Sequence, residues 1–422
     1  MKEDLLHLVW KLKKFDLKNL KTTTGESVQI KNFGFHNHNA GPDFLNAEVL
    51  INNISWFGHI EIHINASEWN DHKHQNDLNY NNVILHVVYK DDKEVFTAHK
   101  TTMPTLELAN RIDNATLSNY TKLKSSLTWI PCASQIKNFD KTRLQVFLEK
   151  VLIERLQTKT DRVNLLLENN QNDWEDLLYK MIAKYLGLKV NAEAFAQLSK
   201  KTSYRLIHKV SNELPKLEAL LLGQAGLFQK LQDDYSKSLS KEYDFLKHKF
   251  QLQAMSGLEW KFSRMRPVNF PTVRIAQIAA LYYKSPQLFN AILNTSNLKE
   301  IYKLLSVSAS DYWSTHYILG KESKKMIKTL GEQTKQSIVI NAIIPIIFAY
   351  GEKLKDQSKK DYALSLIDSM PSEKNKIIRT WKEHSIDASS AAQSQALIQL
   401  KTEYCDQFRC LNCNIGKTIL FA

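Results

Sequence analysis

Gly41-Pro42-Asp43-Phe44-Leu45-Asn46-Ala47-Glu48-Val49-Leu50-Ile51-Asn52-Asn53-Ile54-Ser55-Trp56-Phe57-Gly58-His59-Ile60-Glu61-Ile62-His63-Ile64 is the stretch whose reading decides the fold of this chain. Leu45–Ile51 and Ile54–Ile64 are rich in β-branched and aromatic residues, and Asn52-Asn53 between them suits a tight turn. The pattern predicts an antiparallel hairpin. Asp43, at the start of the first strand, then comes level with Glu61, near the end of the second. Residues two apart share a strand face, so Glu61, His63 and His59 are expected to point the same way. Two carboxylates and an imidazole converge at one end of the hairpin. Such a group suits a divalent cation, Mg²⁺ or Mn²⁺, that activates water and neutralises charge on a phosphoryl group.

Working outward, Glu3–Lys14 places Leu5, Leu6, Val9, Trp10 and Leu12 at helical spacing. Ser27–Asn32, Val83–Tyr89 and Glu94–Ala98 read as further strands. From Asp140 onward the periodicity is helical, as in Thr142–Leu156, Trp174–Leu186, Thr202–Val210, Lys241–Ala254, Val273–Tyr283, Lys321–Leu330, Ile338–Tyr350, Tyr362–Met370 and Ala392–Tyr404, with no strand run. At 422 residues the chain exceeds what one core usually supports. The expected class is α+β: a mixed α/β domain over residues 1–131, helix plus antiparallel meander, then an all-helical region over 132–422.

Charge divides the same way. Met1–Pro131 holds 14 Lys/Arg against 15 Asp/Glu, while Cys132–Ala422 holds 43 against 29. Nine of the thirteen histidines fall in the first hundred residues. The basic later region makes nucleic acid a candidate partner through phosphate contacts, although lysines on helix surfaces are often only solvated. The charges spread through Met1–Leu20 do not form a secretion signal, and the apolar run Ile338–Tyr350 is broken by Asn341 and Pro345. It falls short of the roughly 20 residues that span a bilayer. A cytoplasmic protein with no membrane partner is expected, and four cysteines do not make a disulfide scaffold.

Three further groups carry possible chemistry. Trp69-x2-His72-x-His74-x2-Asp77-x2-Tyr80 follows the hairpin, and His72, His74 and Asp77 with His63 form a candidate transition-metal set for Zn²⁺ or Mn²⁺. His86, in the apolar Val83–Val88 run, reads as a satisfied core residue, and Trp69 and Tyr80 as core or lid. His36 and His38 precede Gly41 in a loop, within reach of the same metal or merely solvated. Cys405-x4-Cys410-x2-Cys413, with Cys132 far upstream, supplies four thiolates, most simply for Zn²⁺. The layout also resembles the iron–sulfur staple of some DNA-repair nucleases, although there the cysteines bracket the nuclease motif and here Cys132 follows it, and that resemblance implies an iron–sulfur cluster. The bland alternative is four buried free thiols. Arg264, Arg266 and Arg274, around Pro267 and Pro271, are candidates for substrate phosphate or for capping and salt bridges.

The order of helix, Pro42-Asp43 and Glu61 resembles the PD-(D/E)XK nuclease superfamily. That resemblance implies a helix, a three-stranded meander, a second helix and a fourth strand, with Asp43 and Glu61 binding Mg²⁺. His63 stands where the superfamily has a Lys that assists the water, and the second helix must fit into Ala66–Asn82. Glu3 is then either an extra ligand or a first-turn helix residue favoured by the macrodipole. The succession Gly41-Pro42-Asp43-Phe44, Gly58-His59-Ile60-Glu61-Ile62-His63, Trp69 to Tyr80, Val83–Val88, Arg264 to Pro271 and the terminal cysteines is similar to the bacterial domain-of-unknown-function family numbered 2851. That family implies no activity. The reading is a metal-dependent nuclease or phosphodiesterase with Asp43, Glu61 and His63 as catalytic residues. The alternatives are a scaffold with structural metal sites and a metal hydrolase of a small molecule.

Overall fold

A computed structural model describes residues 1–228 and 233–422. They divide into two compact units. The first comprises Met1–Phe147, Glu383–Ile386 and Ile398–Ala422, the second Leu148–Lys382 and Asp387–Leu397.

In the first unit, helix α1 (Glu3–Lys11) is followed by β1 (Leu20–Lys21), β2 (Ser27–Asn32), β3 (Phe35–His36), β4 (Phe44–Ile51) and β5 (Ile54–Asn65). Then come the one-turn helix α2 (Glu68–Asp71), β6 (Val83–Lys90), β7 (Thr105–Glu107) and helix α3 (Asn114–Lys124). The strands form one sheet in the order β1-β2-β4-β5-β6-β7, with β3 also on β4. β2, β4 and β5 are antiparallel neighbours, whereas β5, β6 and β7 run parallel. The expected hairpin is present. Asn52 and Asn53 both take positive φ, 49° and 66°, as a two-residue turn between right-twisted strands requires. Phe44 pairs with Ile60, which sets Asp43 level with Glu61.

Alternation along the strands separates two layers. Leu5, Leu6, Val9 and Trp10 of α1 pack with Phe44, Val49, Ile60, Ile62, Leu85 and Val87, and Leu411 and Leu420 of the C-terminal segment join this core. A smaller cluster holds Ala66, Trp69, Val83, Val88, Val95 and Met103, with Tyr80 against it. β6 is buried from Val83 to Val88, the continuous apolar run expected of a strand covered on both faces.

Two expectations about this unit need correction. Glu94–Ala98 is not a strand: Val95 and Met103 bond across a loop whose Lys100 takes φ 61°, and the strand lies later, at β7. The second helix implied by the nuclease resemblance is reduced to α2, one turn within Ala66–Asn82.

The second unit is helical, and Trp174–Leu186 forms with the bounds expected. Lys321–Leu330 is not a helix. It opens with a small hairpin, His316–Ile318 against Lys321–Glu322, turning at Gly320 with φ 70°. Beyond it Lys328 turns inward, bonds the carbonyls of Trp313, Ser314 and Met326, and lies 4.1 Å over the Tyr317 ring. The apolar run Ile338–Tyr350 belongs to a longer helix, Glu332–Leu354, of 23 residues. It is long and apolar enough to cross a bilayer, but 67% of its apolar window is buried inside the protein, as in a core helix. A π-helical stretch, Val339–Ile343, precedes Pro345 in it, which has no N–H for a regular helical bond.

Gly58 controls how closely β5 lies on the start of β6. A Cβ there would stand 2.4 Å from the Asn82 carbonyl oxygen and 2.5 Å from Ile84 Cγ2, and the next residue bonds that same carbonyl at 2.8 Å. Gly58→Ala is expected to cost about 1–3 kcal/mol of stability, measured by urea unfolding. An unchanged midpoint would show that β5 and β6 do not pack this closely.

Candidate metal centre

The two hairpin carboxylates brace each other. The Asp43 peptide N–H donates to Glu61 Oε2 at 3.1 Å, and the Ile62 N–H donates to Asp43 Oδ2 at 2.9 Å. Helix α1 contributes His7, whose Nε2 lies 3.3 Å from Asp43 Oδ2. Glu3, four residues earlier and so on the same helix face, lies in the field of His7, Asp43 and Glu61. Glu61 is only 5% exposed. Burial, then the Asp43 charge, push its carboxyl up to about 8. Burial likewise raises Glu3 to about 7, with His7 pulling it down and Asp43 adding to the rise. Burial pulls His7 down, but its bond to Asp43 and the surrounding carboxylates outweigh this and raise it.

A chain of histidines adjoins Glu61. His86, fully buried on β6 and paired in register with Glu61, has its Nε2 2.8 Å from His63 Nδ1. His63 Nε2 lies 3.2 Å from His72 Nδ1 and 3.6 Å from Glu61 Oε1, and His74 Nε2 lies 3.3 Å from that same oxygen. One ring nitrogen from each of His63, His72 and His74 falls within 4.8 Å of the other two. Burial, then the other histidines, hold His63 down at about 2; burial and His74 hold His86 at about 3. Both are therefore neutral imidazoles. In the tautomer in which His63 Nδ1–H donates to His86, the lone pair of His63 Nε2 faces Glu61, His72 and His74. Trp69 and Tyr80 wall this group, the Tyr80 ring stacking on His74 at 3.8 Å and the Trp69 ring 5.4 Å from His86. His74 Nε2 and His86 Nδ1 are buried without a hydrogen-bond partner.

Asp43, Glu61, His63, His72 and His74 are thus brought together. Asp77 is exposed and accepts from the Asn79 N–H, capping the Leu78–Tyr80 turn. His59 accepts from the Asn46 N–H, and His36 stacks on Phe44 at 4.9 Å with His38 beside it. His86 is a core residue as expected, but it also bonds His63. Sequence reasoning did not single out His7. Its signal was the four-residue spacing from Glu3 on a helix whose other face carries Leu5, Leu6 and Val9. In the second unit Arg274 is turned inward, bonding Gln277, Asn269 and Thr334, so it does not join Arg264 and Arg266, which are exposed. The four cysteines are unpaired, three of them buried.

The family model described as "Protein of unknown function (DUF2851)" matches residues 3–376, a span that includes every residue of this centre and ends before Cys405. No curated protein and no solved structure matches the chain.

The shifts fix the sign of the pH dependence. Glu61 sits above its ordinary 4.5, so from there to about 8 the folded state binds more protons than the unfolded chain and stability falls as pH rises. His63 and His86, held below 6.5, do the reverse and make stability rise with pH up to that value. Above 6.5 the histidine gain is complete, while Glu61, Glu3 and the raised His7 all act downward. Chelator-treated protein is expected to be most stable near pH 6.5 and to weaken toward pH 8, with Glu61→Gln removing much of that loss. Urea unfolding across the range tests this, and a flat wild-type curve above 6.5 would contradict it.

Proposed function

We propose that this chain, which belongs to the DUF2851 family, is a cytoplasmic metal-dependent hydrolase of phosphodiester bonds in nucleic acid. The observation that carries the reading is the position of Glu61. One buried carboxylate lies between Asp43, which its Oε2 bonds, and the histidines His63 and His74, which its Oε1 approaches.

The residues fit a cation. Three imidazole nitrogens and a carboxylate suit a transition ion, whereas the oxygens of Asp43 and Glu61 suit Mg²⁺ or Mn²⁺. Mn²⁺ accepts both donor types, and the unpartnered His74 Nε2 beside Glu61 is a donor without another task. When bound, such an ion lowers the pKa of water and offsets charge on the phosphoryl oxygens. His72 is exposed to solvent, so the centre is reachable from outside rather than enclosed. This favours an enzyme over a scaffold.

The roles of the protein groups follow from their environments. His63, held neutral at about 2, is a ligand rather than a base. Glu3, near 7, is suited to take the proton of the attacking water, and His7, which burial lowers but Asp43 raises further, lies where it could give one to the leaving oxygen. The water oxygen bonds to phosphorus as the bond to the leaving oxygen breaks. The exposed Arg264 and Arg266 and the basic excess after Cys132 support a polyanionic substrate held by salt-sensitive contacts.

Labelled single- and double-stranded DNA and RNA with Mn²⁺ test the reading. The wild type is expected to cleave at least one of them, and Glu61→Gln and Asp43→Asn to lose about 100-fold or more. Identical behaviour of wild type and Glu61→Gln across all four substrates would end it. Tight Mn²⁺ binding without cleavage would leave a structural centre.

A further inference from the structure

All four cysteines of the chain fall in the first unit, although Cys132 stands far upstream of Cys405, Cys410 and Cys413. Their segments lie against one another. Asn119 Nδ2 donates to the Ile419 carbonyl at 3.0 Å, Lys124 Nζ to the Phe408 carbonyl at 3.4 Å, and the Lys401 ammonium sits 5.0 Å over the Trp129 ring. Cys132 is within electrostatic reach of Cys410 and Cys413, and Cys405 of all three others.

Burial raises all four thiols, which disfavours free thiolates, but amide donors and cations stand near three of them. The N–H groups of Ile415 and Gly416 are directed at the Cys413 sulfur, and Lys417 lies near it. Lys401 stands near Cys405, and Lys124 near Cys410. The turn at Cys410–Cys413 folds so tightly under the next helix that a Cβ at Gly416 would stand 2.2 Å from the Cys410 carbonyl oxygen. Single buried cysteines are common and need no ligand. Four drawn from two segments remote in sequence, with amide donors or cations beside three of them, are a candidate ligand set.

Spacing favours one of the two metals that take four thiolates. A single Zn²⁺, with Zn–S near 2.3 Å, draws its sulfurs to about 3.8 Å from one another. Among the described residues no three cysteine sulfurs fall within 4.8 Å of one another. A cluster in which the thiolates are shared among several irons holds them wider apart. We propose that Cys132, Cys405, Cys410 and Cys413 bind an iron–sulfur cluster that fastens the C-terminal segment to the core of the first unit. The Cys410–Asn412 turn packs against α1, and Leu411 and Leu420 enter the core formed by Leu5, Leu6 and Trp10. The cluster thus supports the helix that carries Glu3 and His7.

The test is metal and sulfide analysis of the full chain, produced with added iron and purified without oxygen. Expected are broad visible absorbance and iron and acid-labile sulfide in equal amounts, on the order of two to four of each per chain. Cys413→Ser and Cys132→Ser should each lower both contents at least about ten-fold, the upper part of the range for lost metal-site partners. Should either variant fail to fold, the wild-type iron and sulfide contents decide alone. One zinc per chain without sulfide, or metal-free protein whose four thiols all react with an alkylating agent after anaerobic incubation with ferrous iron and sulfide, would overturn the proposal. None of these readings depends on hydrolytic activity, so this site and the Glu61 centre stand or fall separately.

Discussion

Burying a carboxylate away from water is costly unless hydrogen bonds or a cation compensate it, and Glu61 is the point at which this chain meets that cost. One of its oxygens is satisfied by the Asp43 N–H, and the other faces two imidazoles that burial keeps uncharged. Neutral imidazoles offset no negative charge, so without a cation the carboxyl is pushed toward its protonated form. The arrangement around it is consistent with a cation doing so. Asp43 is held by the Ile62 amide, His63 by His86, and His74 by the Tyr80 ring, which leaves few side chains free to rearrange.

The fold supplies this constraint through two different pairings of β5. Its antiparallel side, toward β4, sets Asp43 level with Glu61. Its parallel side, toward β6, sets His86 level with Glu61 and in bonding range of His63. The connection that a parallel pair requires is where α2, His72, His74 and Tyr80 reside, so the crossover brings His72 and His74 to the hairpin residues. Helix α1 adds Glu3 and His7 from the other core layer.

The hairpin was legible because period-two alternation and an Asn-Asn turn are local signals, and they carried Asp43, Glu61 and His63 with them. His72 and His74 were legible by density alone. His7 was not, since a histidine on a helix carries no sign of which strand end it will meet. Asp77 looked like a ligand because composition cannot distinguish an Asp that caps a turn from one that faces a metal. Arg274 looked like a phosphate contact for a similar reason: its partners Asn269, Gln277 and Thr334 include one from a distant segment. The lysine-rich Lys321–Leu330 read as helix because nothing local reveals that Lys328 turns inward onto carbonyls.

The central claim is that Glu61, with the histidines beside it, holds a divalent cation. An anomalous difference map from crystals grown with Mn²⁺ tests it most directly. The account predicts a peak at bonding distance from Glu61 Oε1 and from at least two of His63 Nε2, His72 Nδ1 and His74 Nε2. Mn²⁺ absent from these atoms, with the Glu61 carboxyl still bonded to Asp43 and no other cation beside it, would contradict it.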